Sequence, residues 1–271
     1  MDNDPDRGTA WRRLRGQVGR QAPLLSAPPP TVPFRAQGEY EPFAPARQRR
    51  GQCAFCRGPA SPGCRHCYHC SRYQEYLPGL LPGVVAPVAY APKGGQHAAN
   101  LWLYKSTRPD AGAARAALSA LLLVFLRDHG PCVWREAGMP RPTCVAVVPS
   151  RRARPGGHPL QEMARPYLRL PWIGLRLDCS EDPDSCDPDP GRFTTQRITG
   201  ASVLLLDDTW TSGASATSAA AALRLAGARS VALVVLGRHL DARAVASDRF
   251  SPAAMPFRPW LCAVHAPAAG Q

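Results

Sequence analysis

Long apolar runs are missing from this chain of 271 residues. Its most apolar stretch, residues 118–126 (LSALLLVFL), falls well short of the roughly 20 residues that a helix needs to cross a bilayer. The opening segment MDNDPDRGTAW lacks the apolar core of a secretory signal, so the sequence predicts a cytoplasmic protein. Lysine is nearly absent. Lys93 and Lys105 are the only lysines, and arginine supplies the remaining positive charge. With so much alanine alongside, that bias fits a GC-rich coding genome better than a chemical requirement. Aromatic residues are few, at 7%, and are not interleaved with basic ones. This argues against a ready-made stacking platform for single-stranded nucleic acid. No internal repeat is present. The formal charge of +13 favours phosphate-bearing partners in general, without bearing on fold.

What is present centres on residues 203–215, VLLLDDTWTSGAS. Val203, Leu204, Leu205 and Leu206 read as a strand buried on both faces, as in a parallel sheet. Asp207 and Asp208 follow, then a turn rich in hydroxyls and glycine: Thr209, Trp210, Thr211, Ser212, Gly213, Ala214 and Ser215. An alanine-rich helix is predicted over 216–226, with Gly227 as its C-terminal cap. In open α/β sheets, ligands bind beyond the carboxyl ends of the strands. A turn leading into a helix offers free N–H groups and a favourable dipole to an anion. Thr211, Ser212 and Ser215 add hydroxyl donors, and Gly213 lets the backbone approach a phosphate. Asp207 and Asp208 are acceptors suited to a ribose diol. One turn can thus grip a ribose 5-phosphate at both ends. The frame resembles the PRPP-binding motif of type I phosphoribosyltransferases: an apolar run, two acidic residues, two variable positions, then Thr-Thr/Ser-Gly-x-Thr/Ser.

Residues 53–70 read CAFCRGPASPGCRHCYHC. In a reducing compartment, so tight a cluster indicates metal binding rather than disulfides. Two CxxC pairs surround a tetrahedral zinc, and the favoured set is Cys53, Cys56, Cys67 and Cys70. Cys64 is an alternative to Cys70, and His66 or His69 can substitute. Closed by protein ligands, the site is structural, and the metal supplies much of the small segment's folding energy.

A four-cysteine zinc element ahead of a phosphoribosyltransferase domain resembles the ComF family. CYHCSRY is similar to that family's second CxxC pair, and the likeness covers roughly residues 53–240. It implies an α/β fold: a mainly parallel, doubly wound sheet of the type I phosphoribosyltransferase kind, with a small zinc-ribbon-like element in front. The expected divisions are a disordered basic, proline-rich tail (1–50), the zinc element (51–76), the main domain (80–240) and a C-terminal tail (241–271). Arg12, Arg13, Arg15, Arg20, Arg47, Arg49 and Arg50 are the tail's candidate contacts to nucleic acid.

Along the main domain, a first strand is predicted over 84–90, with Pro87 marking an edge or bulge. The Tyr104-Lys105 pair sits where family members often place lysine beside an aromatic. A helix is predicted over 111–127, with Asp110 as N-cap and Leu118, Leu122 and Phe125 facing the core. A strand over 144–149, with Cys144 in the core, runs into SRRARPGGHP. The resemblance makes Ser150, Arg151 and Arg152 the pyrophosphate-binding residues there, with Arg154 as a further candidate. A helix over 158–170 follows, with His158 as a cap or surface residue. Asp178, Glu181, Asp182, Asp184, Asp187 and Asp189 then crowd one proline-rich stretch. Family members tend to carry a Gln/Arg-containing cover at that point, so this is a departure. Arg192 and Arg197 return positive charge before the central strand, and a strand over 230–236 ends at Gly237 and Arg238. A further strand is possible over 259–265.

The resemblance implies phosphoribosyl transfer: an acceptor attacks C1 of PRPP and pyrophosphate leaves, with Mg²⁺ on the pyrophosphate and ribose. Asp207 and Asp208 orient the ribose, residues 209–215 hold the 5′-phosphate, and the acceptor is unspecified. The alternative is a non-catalytic protein of the ComF type, linked to DNA uptake. It would bind PRPP, a nucleotide or DNA, with zinc element and basic tail as contacts. A glutamine-dependent amidotransferase is argued against, since residue 2 is Asp and the first cysteine is Cys53.

Overall fold

A computed structural model describes residues 24–25, 51–150, 157–178, 187–241 and 264. The elements in chain order are α1 (Tyr68–Tyr76), β1 (Val84–Pro92), α2 (Gln96–Leu103), α3 (Ala111–Glu136), β2 (Cys144–Val147), α4 (Pro159–Ala164), β3 (Trp172–Ile173), β4 (Leu175–Leu177), β5 (Phe193–Thr195), β6 (Ser202–Trp210), α5 (Ala214–Leu225) and β7 (Ser230–Leu240). Five strands form one sheet in the order β1-β7-β6-β2-β3, and every pairing in it is parallel. β4 and β5 make a separate antiparallel pair.

The sheet is sandwiched because its strands are apolar on both sides. Successive side chains alternate between faces. Leu204 and Leu206 therefore join Leu118, Leu121, Leu122 and Phe125 of α3 on one side. Val203 and Leu205 join Ala216, Ala219, Ala220 and Leu223 of α5 on the other. The small alanines let α5 lie close against the strands. β6, α5 and β7 form the predicted strand-helix-strand unit, with Leu204 opposite Ala232 and Leu206 opposite Val234. α5 ends as the sequence predicts: Gly227 has φ +100, and the N–H groups of Gly227 and Ala228 bond the carbonyls of Arg224 and Leu223.

Several elements differ from expectation. β6 runs on to Trp210, so Asp207, Asp208, Thr209 and Trp210 belong to the strand end and not to a turn. α5 begins at Ala214. β7 continues past Gly237 and Arg238 to Leu240. A Cβ on Gly237 would lie 2.3 Å from Leu101 Cδ1, so this glycine admits α2 against the strand instead of ending it. α3 extends to Glu136 through Pro131, because its last turns bury Cys132, Val133 and Trp134. Asp110 makes no side-chain cap; its carboxylate lies 3.5 Å from Arg108. α4 stops at Ala164, shorter than the predicted helix, and the side chain of His158 accepts from the N–H of Leu160 as its cap. Pro87 sits in β1, which is an edge strand, as a strand proline requires. Within the first fifty residues, Leu25 pairs antiparallel with Leu168, a fixed point that a featureless tail does not predict. Tail arginines 12 to 50 and the predicted strand over 259–265 lie outside the described residues, Val264 apart.

Among the described residues, α3 alone has the length and apolarity of a membrane span, and it is buried in the core. His97 of α2 packs against β7, its Nε2–H donating to the carbonyl of Leu236 at 3.0 Å. Burial lowers its pKa from 6.5 to about 4. The unfolded chain therefore takes up a proton that the folded chain refuses. This cost is absent above pH 6.5 and grows as pH falls toward 4, to at most about 3 kcal/mol. We expect the melting temperature to fall on acidification through this window, and His97→Gln to flatten that limb. An unchanged acid limb in the variant would rule His97 out as its source.

Candidate functional site

The carboxyl ends of β1, β7, β6 and β2 open into one cavity of about 560 Å³. Its floor is Asp207, Asp208 and Thr209, and one wall is residues 211–216. Ser150 and His158 approach from the β2 side, Lys105 and Trp102 from α2, and His239 from the tip of β7. Every predicted site residue from Asp207 to Ser215 except Trp210 therefore lines one space. Trp210 instead turns inward: it is 1% exposed and meets Phe55 edge-on at 6.2 Å.

The wall is built from a strand end, a glycine turn and a helix start. Gly213 occupies the N-cap position of α5 with φ +92, and no side chain caps the helix. Glycine is required twice over here. The conformation disfavours a Cβ, and a Cβ would lie 2.1 Å from Cζ2 of Trp210. The first N–H groups of a helix have no intrahelical partner, and those of Ala214, Ser215 and Ala216 belong to residues lining the cavity. The hydroxyl of Ser212 lies 3.4 Å from the N–H of Ala214. Hydroxyls, N–H groups and the positive helix end together make a wall suited to an anion.

The two carboxylates are not equivalent. Asp208 accepts the Tyr104 hydroxyl at 2.5 Å and pairs with Lys105 at 2.5 Å. The neighbouring Tyr104 and Lys105 thus both serve the acidic pair. Asp207 instead accepts backbone N–H groups, that of Asp208 at 2.8 Å and that of Thr209. Burial, then the charge of Asp208, pushes its pKa up to about 8, and Lys105 opposes the rise. Burial first, and Arg238 second, lowers that of His239. The ligand-free site therefore favours the neutral form of Asp207, beside an Asp208 held by Tyr104 and Lys105.

Arg151, Arg152 and Arg154 lie outside the described residues, as do Glu181, Asp182 and Asp184. The described end of the acidic stretch faces elsewhere. Asp187 pairs with Arg72 of α1 at 3.2 Å, and the N–H of Asp189 donates to Ser218 Oγ of α5 at 2.8 Å. Trp102, 65% exposed at the rim, and His239 were not identified from sequence. His239 lies beyond the predicted strand end, and Trp102 sits in a helix whose pattern the sequence conceals.

The second centre is the cysteine element. Cys53, Cys56, Cys67 and Cys70 bring their sulfur atoms within 4.8 Å of one another. Cys64 is exposed and outside the group, and His66 and His69 are outside it too. Cys70 prevails over Cys64 because it lies one helical turn beyond Cys67, on the same face of α1. The first knuckle is closed by the N–H of Cys53 on Gly58 O at 2.8 Å and that of Arg57 on Cys53 O at 3.0 Å. Hydrogen bonds from Cys56, then Cys67 and Cys70, hold the Cys53 thiol far below its ordinary range, and hydrogen bonding to Cys53, then Cys56 and Cys67, pushes Cys70 far up. Four thiols this close cannot all ionise unless a cation joins them. Two guanidinium groups are buried at the element as well. Nη2 of Arg238 lies 3.6 Å from Cys56 Sγ, while Nε and Nη1 of Arg57 and Nε of Arg238 are buried without hydrogen-bond partners. A divalent metal with four thiolates carries a net charge of 2−, which the Arg238 guanidinium beside Cys56 would offset in part. The donor set therefore fits a thiophilic metal.

Compared with known proteins, the chain matches no family model, no curated protein and no solved structure.

Proposed function

We propose that this chain is a PRPP-binding protein of the phosphoribosyltransferase type with a structural zinc centre, similar in plan to the ComF family. The observation that carries the reading is the cavity in which Asp207, Asp208, Thr211, Ser212, Gly213 and Ser215 meet. An acidic strand end lies beside an uncapped helix start, so diol-binding and phosphate-binding groups share one wall. In the reaction, the acceptor nucleophile bonds C1 of the ribose as the C1–O bond to pyrophosphate breaks. Pyrophosphate leaves with the electron pair, and the acceptor's proton passes to solvent. Asp207 and Asp208 orient the ribose, residues 209–215 hold the 5′-phosphate, and Ser150 and the arginines after it receive the pyrophosphate. Mg²⁺, when bound, supplies charge neutralisation on pyrophosphate and ribose. Zinc would be held by Cys53, Cys56, Cys67 and Cys70, and elemental analysis should find about one ion per chain.

A second reading, a PRPP- or nucleotide-binding accessory protein without turnover, is favoured by one feature: Asp208 is already engaged by Tyr104 and Lys105. Nucleic acid would then be a partner through the basic tail. The deciding experiment combines titration calorimetry of PRPP with Mg²⁺ and pyrophosphate release across a panel of nucleobases and amines. The expected result is binding with release. Asp207→Asn combined with Asp208→Asn should reduce release at least about 100-fold, the scale of losing a transition-state charge contact. Binding without release for any acceptor selects the second reading, and no binding of PRPP rejects both.

A further inference from the structure

The cysteine element and the β6–α5 turn are far apart in sequence yet share a set of contacts. Tyr73 of α1, fully buried, donates its hydroxyl to the carbonyl of Ser212 at 3.1 Å. Phe55, between Cys53 and Cys56, packs its ring edge-on to Trp210 at an interplanar angle of 67°. Arg238 spans the two regions. Its Nη2 donates to Cys56 Sγ at 3.6 Å, and its Nη1 donates to the carbonyl of Trp210 at 3.1 Å. Trp210 in turn occupies the volume beside Gly213, where no Cβ would fit. Each half of the cluster thus reaches the turn: the first CxxC through Phe55 and Arg238 to Trp210, the second through α1, which carries Cys70, to Ser212.

The turn needs this support. Gly213 supplies no cap to α5, and the Ser212 hydroxyl approaches Ala214 only at 3.4 Å. A glycine turn without its own cap loses more conformational entropy on ordering than other residues would. The cysteine element, for its part, has too little apolar surface to stay folded by itself, so its metal would set its order.

We infer that metal occupancy of the cysteine cluster holds residues 211–216 in their ligand-binding conformation, with Tyr73, Phe55 and Arg238 as positioning residues. Linkage makes the effect reciprocal: a ligand in the turn tightens the metal by the same factor by which the metal tightens the ligand. The ordering half stands without any ligand. Only the linkage half rests on the proposed reading of the turn as a PRPP site.

The test is amide hydrogen exchange on the full chain in three forms: zinc-loaded, zinc-loaded Tyr73→Phe, and zinc-stripped by chelator. Tyr73→Phe should accelerate exchange at residues 212–216 by about tenfold, with zinc content and the amides of β6 and β7 unchanged. Stripping should accelerate the same amides further, and restored zinc should slow them again. Wild-type exchange rates at the turn in zinc-loaded Tyr73→Phe overturn the proposal. If stripping also opens the core, the Tyr73→Phe result alone decides. A second arm measures zinc affinity by competition with a chromophoric chelator, with and without PRPP and Mg²⁺. Tighter zinc in the presence of PRPP supports the linkage, and unchanged zinc affinity with PRPP bound overturns it. If PRPP fails to bind the wild-type chain at all, the functional reading fails while the exchange result still decides the ordering.

Discussion

Replacing Gly213 by alanine should lower the melting temperature by about 5–10 °C and abolish binding of PRPP at the turn. Two costs add. The backbone at φ +92 lies in the left-handed region, where a Cβ costs about 1–2 kcal/mol. The new methyl also meets Cζ2 and Cε2 of Trp210 at 2.1 and 2.2 Å. That ring cannot retreat cheaply. It is 1% exposed, meets Phe55 edge-on, and its own carbonyl is held by Arg238. Overpacking of this kind costs about 1–3 kcal/mol. The strain falls on the residue that aims the first N–H groups of α5 into the cavity, so relief by backbone movement misaligns them. Gly94 provides the control. Its φ is +86, yet nothing lies within 4 Å of a Cβ built there, and it does not line the cavity. Gly94→Ala should show the backbone cost alone and bind PRPP as wild type does. Thermal melts and calorimetry on both variants check this. Equal behaviour of the two would mean that Trp210 yields readily and does not brace the turn.

The central strand and the cysteine set were legible in the sequence for physical reasons. A strand buried on both faces must be apolar at every position, and residues 203–206 are. A closed metal site needs two pairs of thiols at knuckle spacing, and Cys53, Cys56, Cys67 and Cys70 have it. Asp207 and Asp208 were legible as a pair, but their inequivalence was not. It arises from Tyr104 and Lys105, about a hundred residues earlier in the chain. What misled was mostly local punctuation overridden by packing. Gly237 reads as a stop, and the predicted helix ends at 127, yet the chain runs through Gly237 and Pro131 because Leu101 needs the missing Cβ and Trp134 has a core to fill. Helix α2 was concealed because the buried face of QHAANLWL carries His97 and Asn100 beside Leu101, while Trp102 points to solvent. Polar residues on the inner face break the apolar period that sequence patterns rely on. At Asp207 and Thr209 the same break marks the cavity: the strand ends in acidic and hydroxyl groups where it lines that space.

That break has a measurable consequence in the pH dependence of binding. In the ligand-free protein, burial and the charge of Asp208 raise the pKa of Asp207 from 3.8 to about 8. A ribose diol, or a Mg²⁺ ion beside one, interacts with the ionised carboxylate, so the ligand must displace a proton below pH 8. The apparent dissociation constant of PRPP should therefore rise by up to about tenfold for each unit that pH falls below 8, the equivalent of about 1.4 kcal/mol per unit. Binding near pH 7 should release close to one proton, read as a heat that changes with the ionisation enthalpy of the buffer. Asp207→Asn removes the proton and should flatten the profile, leaving only the titration of the ligand's own phosphates. Lys105→Met should move the rise to higher pH, because Lys105 lowers the pKa of Asp207. The folded ligand-free chain binds the proton that the unfolded chain has lost, so the Asp207 contribution to stability declines as pH rises from 3.8 through 8. Asp207→Asn should then melt at a higher temperature than wild type at pH 9 and differ little at pH 4. If the variant gains no stability at alkaline pH, and wild-type PRPP affinity stays level from pH 6 to 8, Asp207 is ionised in the free protein and its half-buried place at the strand end does not hold the proton.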